Sequence, residues 1–222
     1  MTICADRLPT AVLLDLDGTL VDSADGILGS LRAAFDELGL PWPEGVIDRG
    51  ILGPPLYRTL PTIIGAEAAA AVMPVYRRHY AERGLLECTP YPGVDALLRE
   101  LADAGVRLAL ATSKAEVYAR RMLAERGWDE LFAEIVGDTL DAARPTKADV
   151  VAEALARLGS PQDAVMVGDR SNDVDGARRN GLDCLGVGWG YGLPGELAEA
   201  GAVAIVDSAA ELGAVLLPSR TG

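Results

Sequence analysis

The sequence predicts an α/β fold: a Rossmann-like parallel sheet core with helices on both faces, plus an α-helical segment inserted after the first strand. Three observations point there. Short apolar β-type runs alternate with amphipathic helical stretches, the pattern of a parallel sheet covered on both sides. The alternation stops from about Ser23 to Cys88, where only helical stretches punctuated by Gly and Pro are found. Half of the 222 residues are hydrophobic and 24% are charged, enough for a proper core and incompatible with a disordered or fibrous chain. That length suits one large domain or one domain carrying a smaller inserted one.

Taken in order, Ala11–Leu16 (AVLLDL) is an apolar run ending in carboxylates, as expected of a buried strand whose C-terminal end reaches a site. The stretch that follows is broken by Gly53-Pro54-Pro55, Pro61, Gly65 and Gly84, and Ala66–Tyr80, rich in Ala, is its clearest helix. The chain returns at Thr89-Pro90-Tyr91-Pro92-Gly93. Residues 23–88 therefore read as a helical cap, and 1–22 with 89–222 as the core. Strands are expected at Val106–Ala111, Glu134–Val136, Ala164–Val167, Asp183–Val187 and Ala202–Val206. Helices are expected at Val94–Ala104, Ala115–Arg126, Lys147–Leu158 and Asn172–Asn180, each ending at or before a Gly or Asn. Ligands of such sheets bind at the carboxyl ends of the strands, near the topological switch.

Composition narrows the function. A net charge of −13 argues against binding a nucleic-acid polymer, whose phosphates need a basic surface. An enzyme acting on small anions tolerates it if a divalent cation makes the site locally positive. No stretch of about 18 uncharged apolar residues is present, so neither a membrane span nor an export signal is expected. Cys4, Cys88 and Cys184 lie far apart with no CxxC pair, which points to a reducing cytoplasm, and Cys88 reads as structural. The single histidine, His79, removes histidine metal sites and a Ser-His-Asp triad, and reads as a surface or hinge residue. Trp189 and Tyr191 read as shaping a Gly-rich loop. Monomer and homodimer remain equally open.

Four groups carry candidate chemistry. Asp15-Leu16-Asp17-Gly18-Thr19-Leu20 places two acids on a tight turn, one able to act as nucleophile while the other handles protons. A plain DG turn with solvated acids is the competing reading. Gly168-Asp169-Arg170-Ser171-Asn172-Asp173 brings two further acids to another strand end; with Asp15 they form an oxygen-rich set suited to Mg²⁺, or they merely cap a helix. Thr112-Ser113-Lys114 follows a strand and opens a helix, where a hydroxyl and backbone N–H groups cradle phosphate oxygens, or where an ordinary cap sits. Lys147, in Arg144-Pro145-Thr146-Lys147, is a point charge able to hold phosphate and restrain the attacking carboxylate, although most lysines at helix starts are solvated.

In order and spacing, this set resembles the four motifs of the haloacid dehalogenase-like hydrolase superfamily, over essentially the whole chain. Leu52-Gly53-Pro54-Pro55-Leu56, Tyr91-Pro92-Gly93-Val94 and Gly186-Val187-Gly188-Trp189-Gly190-Tyr191-Gly192 resemble its phosphoglycolate phosphatase-like branch with a small helical cap. The resemblance implies a Mg²⁺-dependent phosphatase that hydrolyses a small phosphomonoester, phosphoglycolate by preference, through an aspartyl-phosphate. Asp15 would attack phosphorus, and Asp17 would protonate the leaving alcohol and then deprotonate water. Thr112, Ser113 and Lys147 would bind the phosphoryl group. Asp15, the Asp17 backbone carbonyl and Asp169 would hold the metal, with Asp173 in support. Asp17 argues for phosphate chemistry, because the dehalogenases lack an acid there. The third motif departs from the Lys-Pro of many relatives: Ala148 follows the lysine and Arg144 precedes it. Arg49, Arg58 and Arg144 are the candidate substrate-selecting cations. A nucleoside 5′-monophosphate is the alternative substrate, and a phosphomutase or a non-enzymatic phospho-accepting module the alternative roles.

Overall fold

The computed structural model describes residues 8–217. β1 (Ala11–Leu14) is followed by a two-residue strand β2 (Val21–Asp22) and then by three helices, α1 (Ala24–Glu37), α2 (Leu56–Ile64) and α3 (Ala66–Glu82). The chain rejoins at β3 (Thr89–Pro90), which pairs antiparallel with β2. Next come α4 (Val94–Asp103), β4 (Arg107–Ala115), α5 (Glu116–Ala124), β5 (Phe132–Asp138), α6 (Lys147–Arg157), β6 (Ala164–Gly168) and α7 (Ser171–Arg179). β7 (Asp183–Val187), α8 (Glu196–Ala200), β8 (Ala204–Val206) and α9 (Ala209–Leu216) complete the described chain.

Six strands form one parallel sheet in the order β5-β4-β1-β6-β7-β8. Numbered among themselves, they run 3-2-1-4-5-6, the doubly wound order whose switch point lies at the first strand. β1 pairs with β4 on one side and β6 on the other, in matched register: Leu14 stands beside Leu110 and Val167. All four β1 residues are fully buried. Val12 and Leu14 join the larger apolar cluster, while Ala11 and Leu13 join a second one on the opposite face. That division explains why the strand reads as a continuous apolar run without alternation: both faces are covered.

The six expected strands of the sheet are present, several with extended ends. β4 is the informative case. It runs through Thr112, Ser113 and Lys114, which therefore close a strand and do not open a helix; α5 begins at Glu116. The register against β5 shifts between Thr112 and Ala115, so a bulge takes up the extra residues and re-aims their side chains. The β2–β3 pair was not anticipated. Two-residue strands, one containing Pro90, carry no readable period. No described helix is long and apolar enough to cross a membrane.

Candidate active site

Three strand ends meet at the switch point: Asp15 after β1, Thr112 near the end of β4 and Asp169 after β6. The turn after β1 is possible because residue 18 is glycine. Its φ is +89°, and a Cβ there would lie 2.3 Å from an Asp169 carboxylate oxygen. Lys147 arrives from a fourth element. Thr146 caps α6 by accepting from the Asp149 N–H at 3.2 Å, and the Asp149 carboxylate accepts from the Thr146 N–H at 3.0 Å. This reciprocal cap, worth ~1 kcal/mol, fixes Lys147 as the first helical residue, pointing into the sheet end.

The Lys147 ammonium donates to Asp15 Oδ1 at 2.7 Å and to the Ala111 carbonyl at 3.0 Å, and lies 2.7 Å from Asp173 Oδ1. Burial alone would lower its pKa, but the two carboxylates raise it, so the group stays charged. Burial raises the Asp15 pKa to about 6; Lys147 pulls it down, and the neighbouring Asp173 adds to the rise. Asp169 is fully buried, accepting from the Thr19 hydroxyl at 3.1 Å and the Tyr191 N–H at 2.7 Å. Its pKa is pushed well up by burial and by repulsion from Asp173 and Asp15. Asp173 is also fully buried and accepts from the Arg170 N–H at 3.0 Å.

One carboxylate oxygen from each of Asp15, Asp169 and Asp173 lies within 4.8 Å of the other two. Three buried acids share this space with the Lys147 ammonium, which touches two of them. Hard oxygen donors at this spacing fit Mg²⁺. The Asp17 carboxylate is not part of this cluster.

Asp17 turns the other way. Ser23 donates to its Oδ1, and the Lys114 ammonium lies 2.9 Å from its Oδ2. Lys114 also donates to the hydroxyl of Tyr80 on α3 and sits 4.6 Å from the centre of that ring. Asp17, Lys114 and Tyr80 border a cavity of about 110 Å³ between the sheet end and the helices of residues 24–82. Its wall includes Tyr57, Tyr76, Tyr80 and Tyr118, with Arg77 and Lys114 as its cations. Tyr57 ties the two sides together by donating to Asp138 Oδ2 at 2.8 Å.

Of the residues singled out in the sequence, the structure brings together Asp15, Lys147, Asp169 and Asp173 directly, with Thr112 and Ser113 at the adjoining strand end. Thr112 is buried and its hydroxyl accepts from the Lys114 N–H at 3.2 Å; Ser113 lines the cavity beside Asp17. The arginines are not gathered. Arg49 pairs with Asp22 at 2.8 Å, and Arg144 with Glu116 at 3.0 Å and the Gly137 carbonyl at 2.8 Å. Arg58 donates to the Pro145 carbonyl at 2.9 Å on the wall of a separate cleft that reaches Lys147. None of the three lines the Asp17 cavity. Arg77 does, and it carries no ion pair among the described residues. The sequence showed it only as a neighbour of His79. His79 lies 2.9 Å from Glu37 on the paired helices α1 and α3. Cys88 does have a cationic neighbour, Arg126 at 2.7 Å, yet burial still raises its thiol pKa. Cys4 lies outside the described residues. As expected, the Gly-rich loop closes the site: Trp189 donates to the Thr19 carbonyl at 3.1 Å, and the Tyr191 hydroxyl accepts from the Ser23 N–H at 2.7 Å.

Residues 12–187 match the family model of the haloacid dehalogenase-like hydrolases. The chain belongs to that family. Among its relatives, the tyrosine-protein kinase PtkA of Mycobacterium tuberculosis is 48% identical over 83% of this chain, and the match spans 64% of the relative's length. A 5′-nucleotidase of Pseudomonas aeruginosa is 36% identical over 89% of this chain and 90% of its own. A phosphoglycolate phosphatase of Cupriavidus necator is 34% identical over 95% of this chain and 94% of its own. Among solved structures, that of a predicted phosphatase from Clostridium acetobutylicum superposes with a TM-score of 0.87 at 37% identity, covering 93% of this chain and 97% of the other. That structure shares the fold described above over most of both chains.

Proposed function

We propose that this chain is a Mg²⁺-dependent phosphatase that hydrolyses a small phosphomonoester through an aspartyl-phosphate on Asp15. The observation that carries this reading is the division of labour between two acids two residues apart. Asp15 sits against Lys147 and beside the acid cluster, while Asp17 faces the cavity where a leaving group would lie.

The Asp15 carboxylate attacks phosphorus, forming an aspartyl O–P bond as the ester P–O bond breaks. Lys147 holds the attacking carboxylate in place and offsets charge on the phosphoryl oxygens, for which Thr112 and Ser113 provide the strand-end cradle. Asp17 gives a proton to the departing alcohol. It then takes one from a water that attacks the aspartyl-phosphate, releasing phosphate and restoring both acids. Asp15, Asp169 and the Asp17 backbone carbonyl would hold Mg²⁺, with Asp173 supporting. Bound there, the metal would supply charge neutralisation at the phosphoryl oxygens. Residues 23–88 act as a cap that shelters the reaction from water.

The preferred substrate is phosphoglycolate. The cavity of about 110 Å³ is smaller than the ~150 Å³ that accommodates one benzene ring. Its enclosed part suits a group as small as glycolyl. Arg77, on the cavity wall and in no ion pair among the described residues, is the cation we assign to the glycolate carboxylate, Lys114 being paired with Asp17. The protein acts as a monomer or homodimer in the cytoplasm on a small phosphorylated metabolite.

The test is phosphate release at neutral pH, with and without Mg²⁺, from 2-phosphoglycolate, nucleoside 5′-monophosphates and sugar phosphates. Fast, Mg²⁺-dependent release from 2-phosphoglycolate supports the full reading. Faster release from a nucleotide keeps the chemistry and replaces the substrate. A second reading, phosphoryl transfer to tyrosine, comes from the 48% identity to PtkA. ATP with a tyrosine-containing peptide in the same assay separates the two, since label retained on the peptide favours transfer over hydrolysis.

A further inference from the structure

Lys114 is the residue at this site for which the mechanism above has no use. Its side chain is 6% exposed, and its ammonium lies between the Asp17 carboxylate and Tyr80. Burying an ammonium is costly unless it is paired and hydrogen-bonded. Here the pairing comes from two parts of the fold. Asp17 belongs to the turn after β1. Tyr80 belongs to α3, where it is held by an edge contact with Tyr118 at 5.6 Å between ring centres, and its ring stacks on Tyr76 at the same distance. Lys114 itself is carried by the β4 bulge, without which it would point along the regular strand alternation.

The opposite side of Asp17 is also occupied: Ser23, the residue at which the chain enters the cap, donates to Oδ1. Both carboxylate oxygens are thus held, one from the cap entrance and one from the Lys114–Tyr80 pair. A carboxylate on a short side chain is otherwise free to rotate about its last bond, and a general acid works only within hydrogen-bond reach of the leaving oxygen.

Resting on the phosphatase reading above, we propose that Lys114 is a positioning residue for Asp17: it orients the carboxylate toward the leaving group, and Tyr80 of the cap completes that hold. The acid/base group is then set for catalysis only while α3 is docked on the core. This links cap position to proton transfer without any contact between Lys114 and the phosphoryl group.

The leaving group supplies the discriminating test. A departing alkyl alkoxide needs a proton, whereas p-nitrophenolate leaves without one. The kcat/KM value covers the first half-reaction, in which the leaving group departs, and excludes the shared hydrolysis of the aspartyl-phosphate. Well-placed general acids contribute about 10²–10⁴-fold. Lys114→Met is therefore expected to lower kcat/KM on 2-phosphoglycolate at least about 100-fold and on p-nitrophenyl phosphate less than about tenfold. Tyr80→Phe, which keeps the ring and removes only the hydroxyl, is expected to shift the same ratio in the same direction by a smaller factor. Should Lys114→Met fail to fold, Tyr80→Phe carries the test. In an Asp17→Asn background, Lys114→Met is expected to leave the ratio unchanged, because the group it positions is already gone. Equal losses on both substrates would mean that Lys114 grips the phosphoryl group or serves folding alone, and would overturn the proposal. So would an unchanged ratio in folded Lys114→Met or, where that variant does not fold, in folded Tyr80→Phe. Wild-type protein inactive on both substrates is a different result: it removes the phosphatase reading itself, and this inference with it.

Discussion

Asp15 and Asp17 are separated by a single leucine, yet they are held by different halves of the molecule. Asp15 is fixed from within the sheet, by Lys147 on α6 at 2.7 Å, in a place that needs no part of residues 24–82. Asp17 is fixed by Ser23 at the edge of the helical insert and by Lys114, whose remaining partner is Tyr80 on α3. In the proposed mechanism the nucleophile is therefore held by the core alone, whereas the proton carrier is held by core and insert together. One half can be damaged while the other keeps its geometry, and that separation makes the proposed mechanism testable in parts.

The largest effect is expected on the core side. Lys147 stands between Asp15 and Asp173, and Lys147→Met leaves two buried carboxylates facing each other with no cation. Breaking a buried pair by removing one partner costs about 3–5 kcal/mol. The urea midpoint should fall accordingly, and phosphate release should become undetectable. Unchanged stability would show that the acid pair does not depend on the lysine. A smaller effect belongs to the cavity: Arg77→Leu is expected to raise KM for 2-phosphoglycolate about tenfold, equivalent to about 1.4 kcal/mol, while leaving p-nitrophenyl phosphate nearly untouched. A similar rise on both substrates would deny Arg77 the carboxylate. Together the two variants test the proposed contrast between a core that holds phosphate and an insert that reads the rest of the substrate.

The smallest effect lies at the seam between the two regions. Arg170 donates to the carbonyls of Gly50 and Leu52 in the insert and, through Nε, to Glu196 at 3.0 Å. Burial would raise the Glu196 pKa, but the N–H groups of Leu193 and Ser171, with Arg170 and the Ser171 hydroxyl, hold it at about 2 against an ordinary 4.5. A depressed carboxylate contributes stability that is present above its unfolded pKa and is lost as the pH falls toward the folded one. Wild-type protein should thus lose stability more steeply between pH 4.5 and pH 2 than Glu196→Gln. Parallel curves in acid denaturation would remove Glu196 from the seam.

Much of this site was legible because each core group closes or opens an element with a strong local pattern. The apolar runs before Asp15 and Asp169 mark buried strands, and the helix that Lys147 opens is capped by a Thr with Asp three residues on. The acid cluster follows once these two strand ends are expected side by side in one parallel sheet, with Asp173 on the helix that follows the second. Asp17's partners were not legible in the same way. Tyr80 lies 34 residues before Lys114 on a helix whose docking no local period specifies, and the β4 bulge that aims Lys114 leaves no mark in the apolar pattern. The choice among arginines failed for a related reason. Arg49 and Arg144 are neighbours of motifs in sequence, but nearby acids claim them in space, Asp22 and Glu116, while Arg77 faces the cavity from the middle of α3.

The most direct measurement is to trap the covalent intermediate. ³²P-labelled substrate is mixed with Mg²⁺ and protein, quenched in acid, and the protein-bound label is followed with and without hydroxylamine, which cleaves acyl phosphates. Label on the wild-type chain that hydroxylamine releases, that accumulates in Asp17→Asn and that is absent from Asp15→Asn is the predicted result. Turnover without protein-bound label in Asp17→Asn, or label that persists in Asp15→Asn, would contradict an aspartyl-phosphate on Asp15.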